Sequence, residues 1–379
     1  MSSTPSTRSA PRRIAVVGTG FFSQFHLEGW LGLPGVEVVG VCDVDVDKAR
    51  ALAQRFGVTQ VFDQLATLLD ATAPDLVDIV TPPLAQAQLL AQLYGRGLPV
   101  ICQKPLGMSY AQAQEFVQTA RHHRMDLIVH ENFRFMPWYR EMRRLVQAGH
   151  FGELHGVSFR LRPGDGQGAN AYLDRQPYFQ TMPRLLVAET AIHFIDTFRY
   201  LMGEVTAVSA RLRRLNPAIR AEDAALITFE FENGSSGLFD GNRLNHHQAL
   251  NPRRTMGEMW LEGSRGVMHL DGEARLWWAP HHAAETEHSY DRGPETGFGG
   301  GACGALQRHV LNALTEQRPC ENTAQDYLRN ILIQEAVYAS HASGQRIVLS
   351  GFVPPDAGAP PVLIFPRPAS ILITQQETP

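Results

Sequence analysis

The chain has 379 residues, 44% of them hydrophobic and 19% charged, with a formal net charge of −4. That length calls for two domains, and the near-neutral balance gives no reason to expect nucleic acid or an anionic membrane as partner. Four scattered cysteines, Cys42, Cys102, Cys303 and Cys320, form no CxxC pair; this disfavours a disulfide framework or a zinc knuckle and fits reduced thiols in a cytoplasmic protein.

Residues 1–12 are rich in Ser, Thr and Pro and read as a disordered lead-in. Arg12-Arg13 before an apolar run superficially resembles an export signal, but the run ends at Gly18 with no small-residue cleavage site behind it, so it reads as a first strand. No stretch approaches the roughly 18 uninterrupted apolar residues that a membrane span needs. Residues 14–17 are a continuous, mostly β-branched run of the kind buried on both faces of a parallel sheet. They lead into Gly18-Thr19-Gly20-Phe21-Phe22-Ser23, a GxGxxG-type turn with Ser in the third small position, and then into a helical stretch. A second strand, 36–42, ends in Asp43, about 20 residues on, near the spacing at which an acid binds the adenosine ribose hydroxyls. A carboxylate there would repel the extra phosphate of NADP and favours NAD. Asp43 could alternatively cap the helix that starts near Asp45 and ends at Gly57, but the full succession of strand, turn, helix, strand and acid favours the dinucleotide.

The alternation continues with a strand at 76–80 that breaks at Thr81-Pro82-Pro83, a helix at 84–94 and a strand at 99–102. Gln103-Lys104-Pro105 follows, then a helix at 110–123 and a strand at 127–130. This predicts a doubly wound dinucleotide-binding Rossmann domain over 13–132, with ligands gathered at the carboxyl ends of the strands. Gly18, Asp43, Thr81, Lys104 and Asn132 all stand at such ends. Lys104 is well placed to donate to a substrate oxygen, although a solvated loop position is the common fate of lysine.

Glu189, His193 and Asp196 have the i, i+4, i+7 spacing of one helix face, on a segment otherwise rich in Ile, Phe and Leu. Burying two acids and an imidazole there costs several kcal/mol unless they pair or work. They read as acid/base machinery, with His193 as general base, Glu189 orienting its imidazole and Asp196 holding the helix.

From 133 to 350 the texture changes. Strands are expected at 157–161, 205–212, 224–231, 236–240, 259–262 and 267–270, with Asn233-Gly234 as a hairpin turn. They predict an α+β domain with an open, mostly antiparallel sheet. One face would pack on the helix of the polar stripe and the other on a second copy, giving a homodimer or homotetramer. The loop spanning 163–178 offers Tyr172 and Tyr178 as sugar contacts, and Asn242, Arg243 and His246 follow a strand end and could also reach substrate. His246-His247 and His281-His282 lack a carboxylate or cysteine at ligand spacing, so no metal is expected. The glycines of 297–304 read as a hinge before a helix at 305–315; a last helix at 325–340 presents an apolar face expected to pack on the first domain. Residues 351–379 read as a proline-rich arm or disordered tail.

Gly18-Thr19-Gly20, Asp43, Thr81-Pro82, Gln103-Lys104-Pro105, Arg134 within Asn132-Phe133-Arg134-Phe135, and Glu189 with His193 and Asp196 together resemble the glucose-fructose oxidoreductase/inositol dehydrogenase/rhizopine catabolism (Gfo/Idh/MocA) oxidoreductases. The resemblance runs from Arg13 to about Leu349. It implies NAD as cofactor, held by Gly18, Gly20, Phe21, Phe22, Asp43, Thr81, Pro82, Gln103, Lys104 and Asn132, and a sugar or polyol substrate met by Arg134, Tyr172, Tyr178, Asn242 and His246. It also implies a triad of Lys104, Glu189 and His193. Gln103 stands where the family has Glu, Pro83 and Gln86 replace a common Asn and His, and Glu189 and Ala191 replace the Asp and Gly of an Asp-x-Gly-x-His motif. Several segments, Gln176-Pro177-Tyr178 among them, are similar to those of the family's D-apiose dehydrogenases, which implies a branched pentose. The family also includes NAD-dependent glycoside hydrolases and non-catalytic dinucleotide sensors, the two alternative readings.

Overall fold

A computed structural model describes residues 10–355. Most of the expected lead-in and tail, residues 1–9 and 356–379, lies outside the described residues. The first strand begins at Arg12, within the stretch expected as lead-in.

The first half builds β1 (Arg12–Val17), α1 (Ser23–Leu31), β2 (Val36–Cys42), α2 (Val46–Phe56), β3 (Val61–Phe62), α3 (Leu65–Thr72), β4 (Leu76–Ile79), α4 (Pro83–Leu93), β5 (Val100–Gln103), α5 (Tyr110–His122) and β6 (Leu127–His130). The six strands are parallel, in the order β3-β2-β1-β4-β5-β6. Strand order reverses between β1 and β4, which opens a crevice at the carboxyl ends of these strands. The β-branched run of β1 is buried on both faces, from Ile14 at 0% to Val17 at 3% exposure. Asp45, not Asp43, caps α2: its side chain accepts the Lys48 N–H, and Gly57 ends the helix at φ +71°. Asp43 is thereby left for the crevice.

After a short 3₁₀ turn at Phe133–Phe135 come α6 (Pro137–Gln147), β7 (Leu154–Leu161), α7 (Ile192–Met202), β8 (Val205–Arg213), β9 (Ala224–Phe231), β10 (Ser236–Asn242), β11 (Gly257–Gly263), β12 (Gly266–Leu270), β13 (Leu276–Pro280), β14 (Thr286–His288), α8 (Ala302–Glu316), α9 (Ala324–Ser343) and β15 (Ile347–Val348). The second sheet has nine strands in the order β14-β13-β12-β11-β7-β10-β9-β8-β15. All its pairings are antiparallel except that of β7 with β10. The Asn233-Gly234 turn joins β9 to β10 in the register Ser236 to Glu230. β13, β14, β15 and α6 were not foreseen; the three strands are short edge elements, and α6 follows directly on a turn.

α7 packs against β7, and α9 lies against β8 as well as against α5 and β6 of the first sheet. The expected docking of the last helix on the Rossmann half therefore holds, reinforced by the Val129 N–H donating to the Asn322 carbonyl at 2.9 Å. α8 crosses α1 closely: a Cβ on Gly29 would stand 3.0 Å from the Gly304 Cα. The glycine-rich segment before α8 is a packed connection, with Phe298 against Phe22, Phe25 and Phe133. Among the described residues no helix is long and apolar enough to cross a membrane.

Candidate active site

At the end of β1, Gly18 adopts φ +100°, and a Cβ there would stand 2.4 Å from the Val80 carbonyl oxygen. Only glycine fits this crossing. Around Gly20, by contrast, no heavy atom lies within 4 Å of a Cβ position, so its main chain is approachable from the crevice. Asp43 is fixed beside the turn, its Oδ2 accepting from Thr19 N at 2.7 Å and Thr19 Oγ1 at 2.8 Å, its Oδ1 from Asp45 N at 2.9 Å. Past the ends of β4 and at the end of β5, the Thr81 Oγ1 and Gln103 Oε1 are buried without a hydrogen-bond partner. A glycine turn that backbone can approach, an acid at the end of β2 and two orphaned oxygens along the crevice fit a bound dinucleotide. Pro82 directly precedes α4 at the same edge. Phe21 is 45% exposed there, whereas Phe22 is packed on Phe25, His26 and Phe298 and serves the core. Asn132 is also inward, 2% exposed, with its Nδ2 donating to the Cys303 Sγ at 3.2 Å.

Lys104 follows β5 and is 9% exposed; its Nζ donates to Glu189 Oε1 at 2.9 Å and to the Glu189 carbonyl oxygen at 2.8 Å. The turn that carries it is stapled by the buried amide of Gln86. The Gln86 Nε2 donates to the carbonyls of Gln103 and Pro105 at 2.9 and 3.1 Å, and its Oε1 accepts the Gly107 N–H at 2.7 Å.

The helix of the polar stripe departs from expectation. Residues Leu186–Ala191 form a π-helical turn ahead of α7, with the Ile192 N–H reaching back to the Val187 carbonyl. Glu222, 0% exposed, anchors this turn by accepting from Leu185 N, Val187 N and the Tyr338 hydroxyl at 3.2, 3.1 and 2.7 Å. The extra residue takes Glu189 out of the α-helical register with His193. The expected orienting bond from Glu189 to the imidazole is therefore corrected: the His193 Nδ1 lies 2.6 Å from Glu131 Oε1, and Phe133 stacks on the ring at 3.9 Å. Glu131, at 0% exposure, was missed by the sequence reading; a carboxylate one residue beyond β6, in the apolar run around Val129, was the available signal. Burial pushes the Glu131 carboxyl up to about 7 against the pull of Lys104, and burial together with Lys104 drives His193 well below the usual imidazole range.

Asp196 is fully buried, at 0% exposure. It accepts from Arg134 Nε and Nη2 at 2.7 and 2.6 Å and from Asn330 Nδ2 at 2.7 Å. Burial opposes the Arg134 charge, but Asp196 together with Asp326 and Glu321 outweighs it and the guanidinium is pushed up. Arg134, 7% exposed, is thus committed to Asp196 and anchors the helix, rather than being free at the crevice for the substrate contact expected of it.

Of the other expected substrate contacts, Tyr172 is 4% exposed and packed on Phe179 beneath the Arg243 guanidinium, so its ring serves the loop's own core. Tyr178 is 53% exposed, its hydroxyl accepts from Gln176 Nε2 at 2.9 Å, and burial, then the charge of Glu189, pushes the phenol up to about 12. Asn242 shapes its own turn, accepting from Leu244 N and donating to Asn245 Oδ1. His246 is exposed and bridges to Pro163 at the loop edge. Arg243 is buried, paired with Asp165, and donates to Thr190 Oγ1 at 2.7 Å, bracing the residue next to Glu189. Among the described residues no three His, Cys, Asp or Glu side chains stand together in a way that could hold a metal ion.

Comparison with known proteins agrees with this geometry. Residues 12–131 match a family described as an oxidoreductase family with an NAD-binding Rossmann fold, and residues 139–269 match the GFO/IDH/MocA C-terminal domain. A D-apiose dehydrogenase of Paraburkholderia graminis is 30% identical over 92% of this chain and 92% of its own length. A D-glucoside 3-dehydrogenase of Escherichia coli is 28% identical over 60% of this chain and 68% of its own length. In structure, an Agrobacterium radiobacter oxidoreductase in complex with NAD+, L-tartaric acid and magnesium superposes with a TM-score of 0.82 at 24% identity, covering 91% of this chain and all of that one, which shows a shared fold. A parallel sheet with a dinucleotide crevice, a lysine and a histidine at its carboxyl edge, and matches over both halves make the chain a member of the Gfo/Idh/MocA oxidoreductases, with an NAD-binding Rossmann fold.

Proposed function

We propose that this protein is a dehydrogenase that oxidises a hydroxyl group of a sugar or polyol with NAD. The observation that carries the reading is the convergence of Lys104 and His193, each nearly buried and each with its own carboxylate partner, at the carboxyl edge of the dinucleotide sheet. NAD would be held by Gly18, Gly20, Asp43, Thr81 and Gln103, and when bound it supplies the hydride acceptor. The His193 Nδ1 is engaged by Glu131, which leaves Nε2 as the nitrogen that takes the hydroxyl proton. Lys104, held by Glu189, donates to the same substrate oxygen and stabilises the charge that develops on it. Glu189 keeps a contact with Lys104, and this supports an enzymatic reading over that of a dinucleotide sensor.

The D-apiose dehydrogenase relative and the segments similar to it support an aldose substrate, a branched pentose first among the candidates. The second face of the large sheet exposes Leu226 at 49% and Leu238 at 37%, which supports assembly as a homodimer or homotetramer through that face. The test is a panel of aldoses, polyols and inositols assayed for NADH formation, with NAD and NADP side by side. His193→Ala is expected to bind NAD normally and to lose turnover; a fully active variant would remove His193 from the mechanism.

A further inference from the structure

Resting on the reading of His193 as the base, we propose that Glu131 receives the proton His193 takes from the substrate, so that the pair acts as a two-step relay and the imidazole ends the step neutral. In the resting pair, Nδ1–H donates to the Glu131 carboxylate and Nε2 is free. When the substrate O–H bond breaks, a new N–H bond forms at Nε2; the Nδ1–H bond breaks and an O–H bond forms at Glu131 Oε1. Bound NAD would accept the electron pair of the substrate C–H bond as hydride; the substrate would then have lost one proton and one hydride, the hydride carrying both electrons, and the proton rests on Glu131.

Three features favour transfer over a static orienting bond. The first is proximity, 2.6 Å between Nδ1 and Oε1, with the ring held flat by Phe133 at 2° between planes. The second is that Glu131 is poorly equipped to remain an anion. It is 0% exposed, and among the described residues its only other donor is the Phe133 N–H at 3.3 Å and its Oε2 has no partner. A buried carboxylate with so few donors gains by accepting a proton. The third is the charge around the pair. Lys104 makes an imidazolium at His193 costly, and the nearby Lys104 and Arg134 are each already bound by a carboxylate, Glu189 and Asp196. From the other sides Glu131 faces Glu189, Asp196 and Tyr327, and His193 faces His130 as well; none supplies a free cation that would hold the carboxylate ionised. Burial accordingly pushes the Glu131 carboxyl up to about 7.

A pH signature follows. Once Glu131 is protonated it donates to Nδ1, the imidazole proton sits on Nε2, and the base is blocked. Oxidation should decline as pH falls through about 7, the value to which burial raises this carboxyl.

The experiment compares wild type with Glu131→Gln, Glu131→Asp and His193→Ala in kcat against pH, KM and NAD binding. Gln keeps a carbonyl that accepts from Nδ1–H and so preserves ring orientation, but it cannot take the proton. The expected result for Glu131→Gln is a fall in kcat of about 100-fold or more, with KM and NAD affinity near wild type and the acid limb lost. Glu131→Asp restores part of kcat together with an acid limb. Glu131→Gln within about threefold of wild type, or slow with its acid limb unmoved, would overturn the relay and leave Glu131 as an orienting group. If Glu131→Gln does not fold, Glu131→Asp decides alone, and a kcat profile identical to wild type would overturn the proposal. Activity retained in His193→Ala would instead overturn the reading on which the relay rests.

Discussion

Replacing Arg134 by Met separates a helix anchor from a substrate contact. Met preserves much of the side chain's apolar volume and deletes the guanidinium, so the two bonds of 2.7 and 2.6 Å to Asp196 vanish while Asp196 remains 0% exposed with only Asn330 at 2.7 Å to bond it. Breaking a buried pair by removing one partner costs about 3–5 kcal/mol, most of it the penalty of the stranded charge. The Asn330 bond puts the expectation near the lower end, about 3 kcal/mol, a large share of the roughly 5–15 kcal/mol that holds a typical fold. The assay is urea unfolding followed by tryptophan fluorescence, run as a cycle with Asp196→Leu and the double variant. Arg134→Met should lower the midpoint sharply, and the double variant should be no less stable than the single one, because it no longer strands a charge. A stability within about 0.5 kcal/mol of wild type, accompanied by a rise in KM alone, would refute the anchor and return Arg134 to the substrate.

Asp43→Ala should weaken NAD by about tenfold or more and narrow the preference over NADP, since we propose that the carboxylate pinned by Thr19 and Asp45 meets the ribose; isothermal titration with both cofactors checks it, and unchanged NAD affinity would contradict it. Gln86→Ala removes three bonds from the turn around Lys104 and strands two carbonyls and an N–H, an expected loss of about 1–3 kcal/mol with a drop in kcat larger than any change in NAD affinity. Glu141 supplies a pH test of stability. Bonding to Arg144, then to His288, holds its carboxyl down to about 2 from 4.5 against partial burial. Because the folded value is depressed, the contribution is complete above the unfolded value near 4.5 and is lost as pH falls from there toward 2. The difference in unfolding midpoint between wild type and Glu141→Gln should therefore be constant above pH 5 and shrink below it; a difference that grows on acidification would reverse the argument.

The Rossmann half was legible because its signals are local. Continuous β-branched runs, the crossing that only Gly18 permits, and Asp43 at the end of β2 are set within a few residues, and β2 and β6 have the boundaries their runs suggest. What was not legible depends on partners distant in sequence. Arg134 looked like a substrate ligand because nothing near it announces Asp196, 62 residues on, and Tyr172 looked like a sugar contact because its burial depends on Phe179 and Arg243 folding around it. Glu131 was passed over for the same reason: its partner His193 lies 62 residues away.

The residues of the polar stripe were identified from their spacing, but that spacing assigned the wrong bonds. An unbroken α-helix would align Glu189 with His193 and leave one carboxylate to serve both the imidazole and the lysine. The π-helical turn, anchored from outside by Glu222, shifts Glu189 toward Lys104 and leaves His193 Nδ1 for Glu131. Two pairs of different character result. Lys104 with Glu189 is a charged pair at the crevice, suited to fixing an ammonium against a substrate oxygen. His193 with Glu131 is a buried pair in which burial drives both members toward neutrality, suited to moving a proton. Glu189 meets Lys104 through its main-chain carbonyl at 2.8 Å as well as through its carboxylate at 2.9 Å, so the pair forms with Glu in place of the Asp typical of the family.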